Sequence, residues 1–131
     1  MKAGVKIHKR NMITLIIIAA VLAFISGASE GLNNTLLFRY SKFKKRFPKA
    51  NDQFWEPSVS WKNKHDNDSK LDNTLFSFMT DGFHATKFIR YWTLILSSTT
   101  MAFVFWWAIP FLWIARMAGF HLTWTLYFGK A

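Results

Sequence analysis

The chain has 131 residues, 51% of them hydrophobic, with 17 Lys and Arg against 7 acidic residues and a formal net charge of +10. It contains no cysteine, which excludes disulfides, thiolate metal sites and a cysteine nucleophile. The basic residues flank the apolar runs, a pattern that favours anionic lipid head groups over nucleic acid as the partner.

Residues 1–11 form a basic tail carrying Lys2, Lys6, Lys9 and Arg10. No charge occurs from residue 12 to residue 28, so residues 12–31 are expected to form a first transmembrane helix. A bilayer core needs about 20 apolar residues in helical form. Ser26-Gly27-Ala28 also has the small-x-small form of a signal-peptide cleavage site, but the length of the run favours an uncleaved anchor. Gly27 and Gly31, four apart, would let a second helix approach closely. A flexible helix end is the plainer alternative.

Residues 32–81 read as a polar, interfacial loop. In LLFRYSKFKKRFPK, Arg39, Lys42, Lys44, Lys45, Arg46 and Lys49 alternate with Phe38, Tyr40, Phe43 and Phe47. Rings at the interface and cations reaching lipid phosphates account for that alternation. In FWEPSVSWKNK, Pro57 is expected to prevent a regular helix, and Trp55 and Trp61 to be packed or interfacial. HDNDSKLDN is a turn-rich, exposed stretch. Its Asp66, Asp68, Lys70 and Asp72 lack the central glycine and closing glutamate of a calcium loop, so no metal is assigned.

TDGFHATKFIRYW opens a second apolar block, and residues 82–109 are expected to form a second transmembrane helix. Asp81 or Thr80 caps its start. Lys87 and Arg90 then fall at head-group level, with Tyr91 and Trp92 in the aromatic belt. The chemical alternative makes His84 an acid/base oriented by Asp81, with His65, Asp66 or Glu56 drawn in from the loop. No nucleophile elbow, HExxH or glycine-rich phosphate loop accompanies it, so D-x-x-H alone names no reaction. Nothing in the spacing of His84 and His121 supports haem, and no cofactor is assigned.

Ser97, Ser98, Thr99 and Thr100 lie mid-helix, where hydroxyls bond back to the helix or across to a neighbour. Residues 91–128 as one straight helix would extend about 57 Å, well beyond a hydrocarbon core of about 30 Å. The chain must therefore turn, either at Pro110, opening a third helix packed on the second, or at Ala118-Gly119, breaking to an interfacial helix; residues 110–128 are expected to form a third hydrophobic helix, spanning or interfacial. Arg116 and His121 are its ionisable groups. Trp106, Trp107, Trp113 and Trp124 are expected to face lipid or partners.

The class implied is all-α: an integral membrane protein with two to three membrane-embedded helices around a basic, aromatic-rich loop. Lys and Arg of the centre outnumber those of the tail, which favours the central loop in the cytoplasm by the positive-inside rule, while the short basic N-terminus ahead of the first helix favours the opposite orientation. NNTLLFRYSKF, FWEPSVSWKNK and TDGFHATKF together resemble an uncharacterised family of small bacterial integral membrane proteins of Bacteroidetes type. Leu37, Phe38 to Tyr40, Phe54, Trp55, Pro57, Ser60 to Lys64, Thr80, Asp81 and His84 carry the resemblance. It implies a membrane protein with an ordered polar stretch and brings no activity with it.

The expected role is a non-enzymatic structural or accessory subunit of a membrane assembly, such as a respiratory or secretion complex or a lipid-containing virion. Its partners would be the bilayer, anionic head groups, and other membrane proteins or further copies of itself. Its place would be a bacterial inner membrane or a virion membrane. The alternatives are a holin-like permeabilising protein, a transporter acting as an oligomer, and an interfacial enzyme acting on lipids through Asp81 and His84.

Overall fold

The computed structural model describes residues 9–62, 79–104 and 109–129. Lys2 and Lys6, His65, the Asp66–Asp72 spacing, and Trp106 and Trp107 lie outside the described residues. Among the described residues the fold is wholly helical, without a strand.

Helix α1 spans Lys9–Phe38, about 45 Å at 1.5 Å per residue. Among the described residues it is the one helix long and apolar enough to cross a membrane. It continues through Gly27, Gly31 and residues 32–38, beyond the end expected at 31. The reason is tertiary. Asn33 donates to a second helix, Thr35 Oγ1 bonds back to the Gly31 carbonyl at 2.8 Å, and Leu36 is buried. Asn33 and Thr35 thus have partners inside the protein and do not need water.

Arg39 breaks the helix, with φ −143° and ψ 40°, and α2 follows at Tyr40–Arg46. Two single turns come next. Helix α3, Asp52–Trp55, is capped by Asn51, whose side chain accepts from the Gln53 amide at 3.0 Å. Helix α4, Pro57–Ser60, has Pro57 in its first turn. Pro57 separates two short helices and opens the second, because a proline at N1 lacks only an N–H that the helix would leave unpaired.

Helix α5 spans Gly82–Val104 and α6 spans Ile109–His121, with Pro110 in its first turn. Helix α6 passes directly into a π-helical segment, Leu122–Tyr127, closed by the Phe128 amide on the Thr123 carbonyl at 3.0 Å.

Helix α1 is the centre: α5 and α6 each pack along it and touch one another far less. A stripe of small residues at four-residue spacing, Ala19, Ala23, Gly27, Gly31 and Thr35, is buried. Around one end of α1, Ala19 and Ala23 pack with Met101 and Leu112. At the other, Leu36 packs with Phe43 and Phe128, flanked by Tyr40 and Trp55.

Candidate functional site

Small side chains bring α1 and α5 close enough for side chains to reach the opposing main chain. Ser97 Oγ donates to the Ala19 carbonyl at 2.8 Å, and Ser26 Oγ donates to the Arg90 carbonyl at 2.9 Å. Asn33 Nδ2 donates to the Phe83 carbonyl at 2.9 Å and to Thr86 Oγ1 at 3.0 Å. Positions 19, 26 and 33 on α1 meet 97, 90 and 83 on α5. The pairs step by seven residues on each helix, in opposite directions. That is an antiparallel pair held at heptad spacing, with polar rungs where a soluble coiled coil places apolar knobs.

One turn from Ser26 and Asn33 stands Glu30. Its carboxylate accepts from Arg90 Nη2 of α5 at 3.0 Å and from Arg116 Nη2 of α6. One acid therefore ties three helices together. The three side chains are largely withdrawn from solvent, at 18%, 24% and 11% exposure for Glu30, Arg90 and Arg116. Two guanidinium groups on one carboxylate leave the cluster with one excess positive charge. The Nε atoms of both arginines are buried without an acceptor among the described residues.

Glycine sets how closely α6 can approach. A Cβ on Gly27 would overlap the Arg116 carbonyl, and one on Gly119 would overlap the Phe24 carbonyl. A Cβ on Gly31 would come within 2.8 Å of Thr123 Cβ. The Gly27/Gly31 face therefore lies against this chain's own α6. Ser97 belongs to the seam, whereas Ser98 is exposed.

Asp81 and His84 meet at the start of α5. Asp81 is 1% exposed; its Oδ1 accepts from the His84 amide at 2.8 Å, and its Oδ2 lies 2.6 Å from His84 Nδ1. With the carboxylate as acceptor, Nδ1 carries the hydrogen and Nε2 is the basic nitrogen. The geometry joins an N-cap to an oriented imidazole. The Glu56 carboxylate accepts instead from Ser58 Oγ at 3.0 Å. The Trp55 ring fills the space where Gly82 lacks a side chain, so α3 and α4 brace the foot of α5.

Much of the basic cluster is bound within the fold. The Arg39 guanidinium lies 3.9 Å from the Trp124 ring centroid, and that of Arg46 lies 4.4 Å from Tyr127. Lys42 Nζ donates to the Gly129 carbonyl at 2.8 Å. Lys44 Nζ binds Asp52 at 2.6 Å and the Ala50 carbonyl at 2.7 Å. These contacts pin α2 to the π-helical segment and to α3. Lys45, Lys49, Lys87, Trp61, Tyr91 and Trp92 are exposed. The hydrogen bond from Lys44, and that from Tyr40 at 2.6 Å, hold the Asp52 carboxyl below its ordinary value. Burial, and then the bond to Asp52, push the Tyr40 hydroxyl well above its own.

Among the described residues no group of three His, Asp or Glu is placed to hold a metal ion. Sequence reasoning singled out Gly27, Gly31, Ser97, Asp81 and His84 but missed Glu30, Ser26, Asn33 and Gly119 as parts of one seam. The available signal was Glu30 itself, the only acid before Asp52, set at the end of an apolar helix. Comparison with known protein families, curated proteins and solved structures finds no match.

Proposed function

We propose that this chain is a small multi-pass integral membrane protein serving as a non-enzymatic structural or accessory subunit of a membrane assembly. The observation that carries this reading is the inverted polarity of the bundle. Ser26, Glu30, Asn33 and Ser97 lie between helices. Large apolar side chains point outward: Ile13, Ile17, Val21, Ile95, Phe111 and Ile114 are 52–66% exposed.

In water that arrangement leaves the apolar surface unburied on every helix. Among lipid tails it is stable, because outward Ile and Phe meet a matching solvent and inward hydroxyls find main-chain acceptors. On this reading α5 and α6 join α1 as membrane-embedded helices, and Arg39 marks the end of the hydrocarbon layer. Ser26, Asn33 and Ser97 are spent on main-chain carbonyls and Glu30 on two arginines, which suits a scaffold more than a reaction centre. The resemblance carried by FWEPSVSWKNK and TDGFHATKF points to the same class.

Solubilisation of the native membrane in mild detergent tests the proposal. Co-elution of the chain with defined partner proteins in one stable complex is the expected result. A chain that stays monomeric in buffer without detergent or lipid would refute it.

The 2.6 Å contact between Asp81 and His84 favours a second reading, acid/base chemistry at the membrane interface. His84→Ala with intact folding and an unaltered phenotype removes that alternative.

A further inference from the structure

A cavity of about 780 Å³ opens beside the far end of α1, between α2, α3 and the π-helical segment. Its wall includes Leu32, Phe43, Trp55 and Phe128, all apolar and all part of, or packed against, the second core. The volume falls in the range of small-molecule sites, about 300–1,000 Å³, and the wall offers water few partners.

One side of the open cavity is bounded by Leu122, which is half exposed, so an apolar side chain at its rim also faces outward. Another side carries Arg46 and Lys49, and none of the described lining residues is acidic. The Arg46 guanidinium lies over the Tyr127 ring, and its N–H groups have no acceptor among the described residues. Lys49 is exposed and likewise without an acceptor among them.

We propose that this cavity binds one bilayer phospholipid with an anionic headgroup, its acyl chain against Phe43 and Phe128 and its phosphate at Arg46 and Lys49. The proposal rests on the membrane reading above. An apolar space open sideways to the hydrocarbon layer admits a chain. Two cations on a wall that includes no acid among the described lining residues fit the phosphodiester, and they discriminate against a zwitterionic headgroup, whose own cation they repel. The Leu32 wall lies in the last part of α1, just before the basic α2, which is the depth at which a lipid carries its phosphate.

Native mass spectrometry of the full chain, delipidated in mild detergent and titrated with defined lipids, provides the test. Phosphatidylglycerol should give a one-to-one adduct about tenfold or more tighter than phosphatidylcholine of the same chains, the scale expected of two interfacial cations. Glycerol phosphate, which has the headgroup chemistry without chains, should give no adduct.

Arg46→Gln with Lys49→Gln should bring phosphatidylglycerol down to the phosphatidylcholine level, while Lys62→Gln leaves the preference in place. Ser29→Phe, which puts a ring into the cavity, should remove the adduct for both lipids. Equal binding of the two lipids to the unaltered chain, a retained preference in the double variant, or binding of glycerol phosphate alone would each overturn the site. If the chain remains in micelles yet takes up no lipid, the site fails and the membrane reading stands. If the chain is soluble without detergent, both fail.

Discussion

Four arginines divide between two regions of this protein, and the regions satisfy them in different ways. In the seam, Arg90 and Arg116 share the Glu30 carboxylate between three helices. At the corner formed by α2 and the π-helical segment, Arg39 and Arg46 lie over the rings of Trp124 and Tyr127. The surroundings explain the difference. The seam arginines also lie 5.2 Å from the Tyr91 and Trp113 ring centroids, but, largely withdrawn from water between packed helices, they need a counter-charge as well. At the corner the edge of a guanidinium remains hydrated, and an aromatic face beneath it is enough. The seam is therefore where a single loss is costly, and the corner is where losses are absorbed.

That contrast is open to being broken, and the largest expected effect is at Glu30. Glu30→Gln leaves two guanidinium groups facing each other and should cost about 3–5 kcal/mol, read as lost thermal stability in detergent. Adding Arg116→Gln should recover part of that loss, since it removes one of the stranded charges. If the single and double variants melt alike, the triad is not an energetic unit. Next in size is Gly27→Ala, whose methyl group would meet the Arg116 carbonyl. Overpacking of this kind costs about 1–3 kcal/mol, and Val21→Ala on the outward face serves as a control with little effect in lipid.

The rungs should be weaker than either. On the membrane reading proposed above, Ser26→Ala and Ser97→Ala are expected to cost about 0.6 kcal/mol each, the average for hydrogen bonds between membrane helices. At the corner, Arg39→Ala should lose about 0.5–1 kcal/mol of stacking on Trp124, detectable as a change in tryptophan emission.

The mildest perturbation is titration of Asp52. Its folded-state pKa is lowered by Lys44 and Tyr40, so its contribution is present at neutral pH. That contribution is lost as pH falls below about 4, the ordinary aspartate range, and on through the folded-state value. Acid should therefore loosen α2 from α3, and Asp52→Asn should abolish that acid-dependent step. Residue-level hydrogen exchange across that range would separate the two regions.

The length of the apolar runs made the helical class and the start of α5 at Gly82 legible, because helix periodicity and caps are local. The end of α1 was not legible. Asn33, Asn34 and Thr35 look like a loop to any local rule, yet Asn33 is satisfied by Phe83 and Thr86, some fifty positions away. Lys42 and Lys44 read as lipid-facing charges, but they reach Gly129 and Asp52. A long flexible cation gives no sequence signal of which acceptor it will find.

The order of residues alone determined where helices can form and where cations concentrate, since both follow from neighbours in the chain: unbroken apolar length, prolines, caps and clustered Lys and Arg. Only the tertiary structure decided that Glu30 would face Arg90 and Arg116, that Gly27 would seat α6, and that Ser26 and Ser97 would point at opposing carbonyls. Those choices depend on how three helices are rotated about their own axes. That rotation is set by the closest approach that small residues allow, a property of the packed helices jointly and of no single segment.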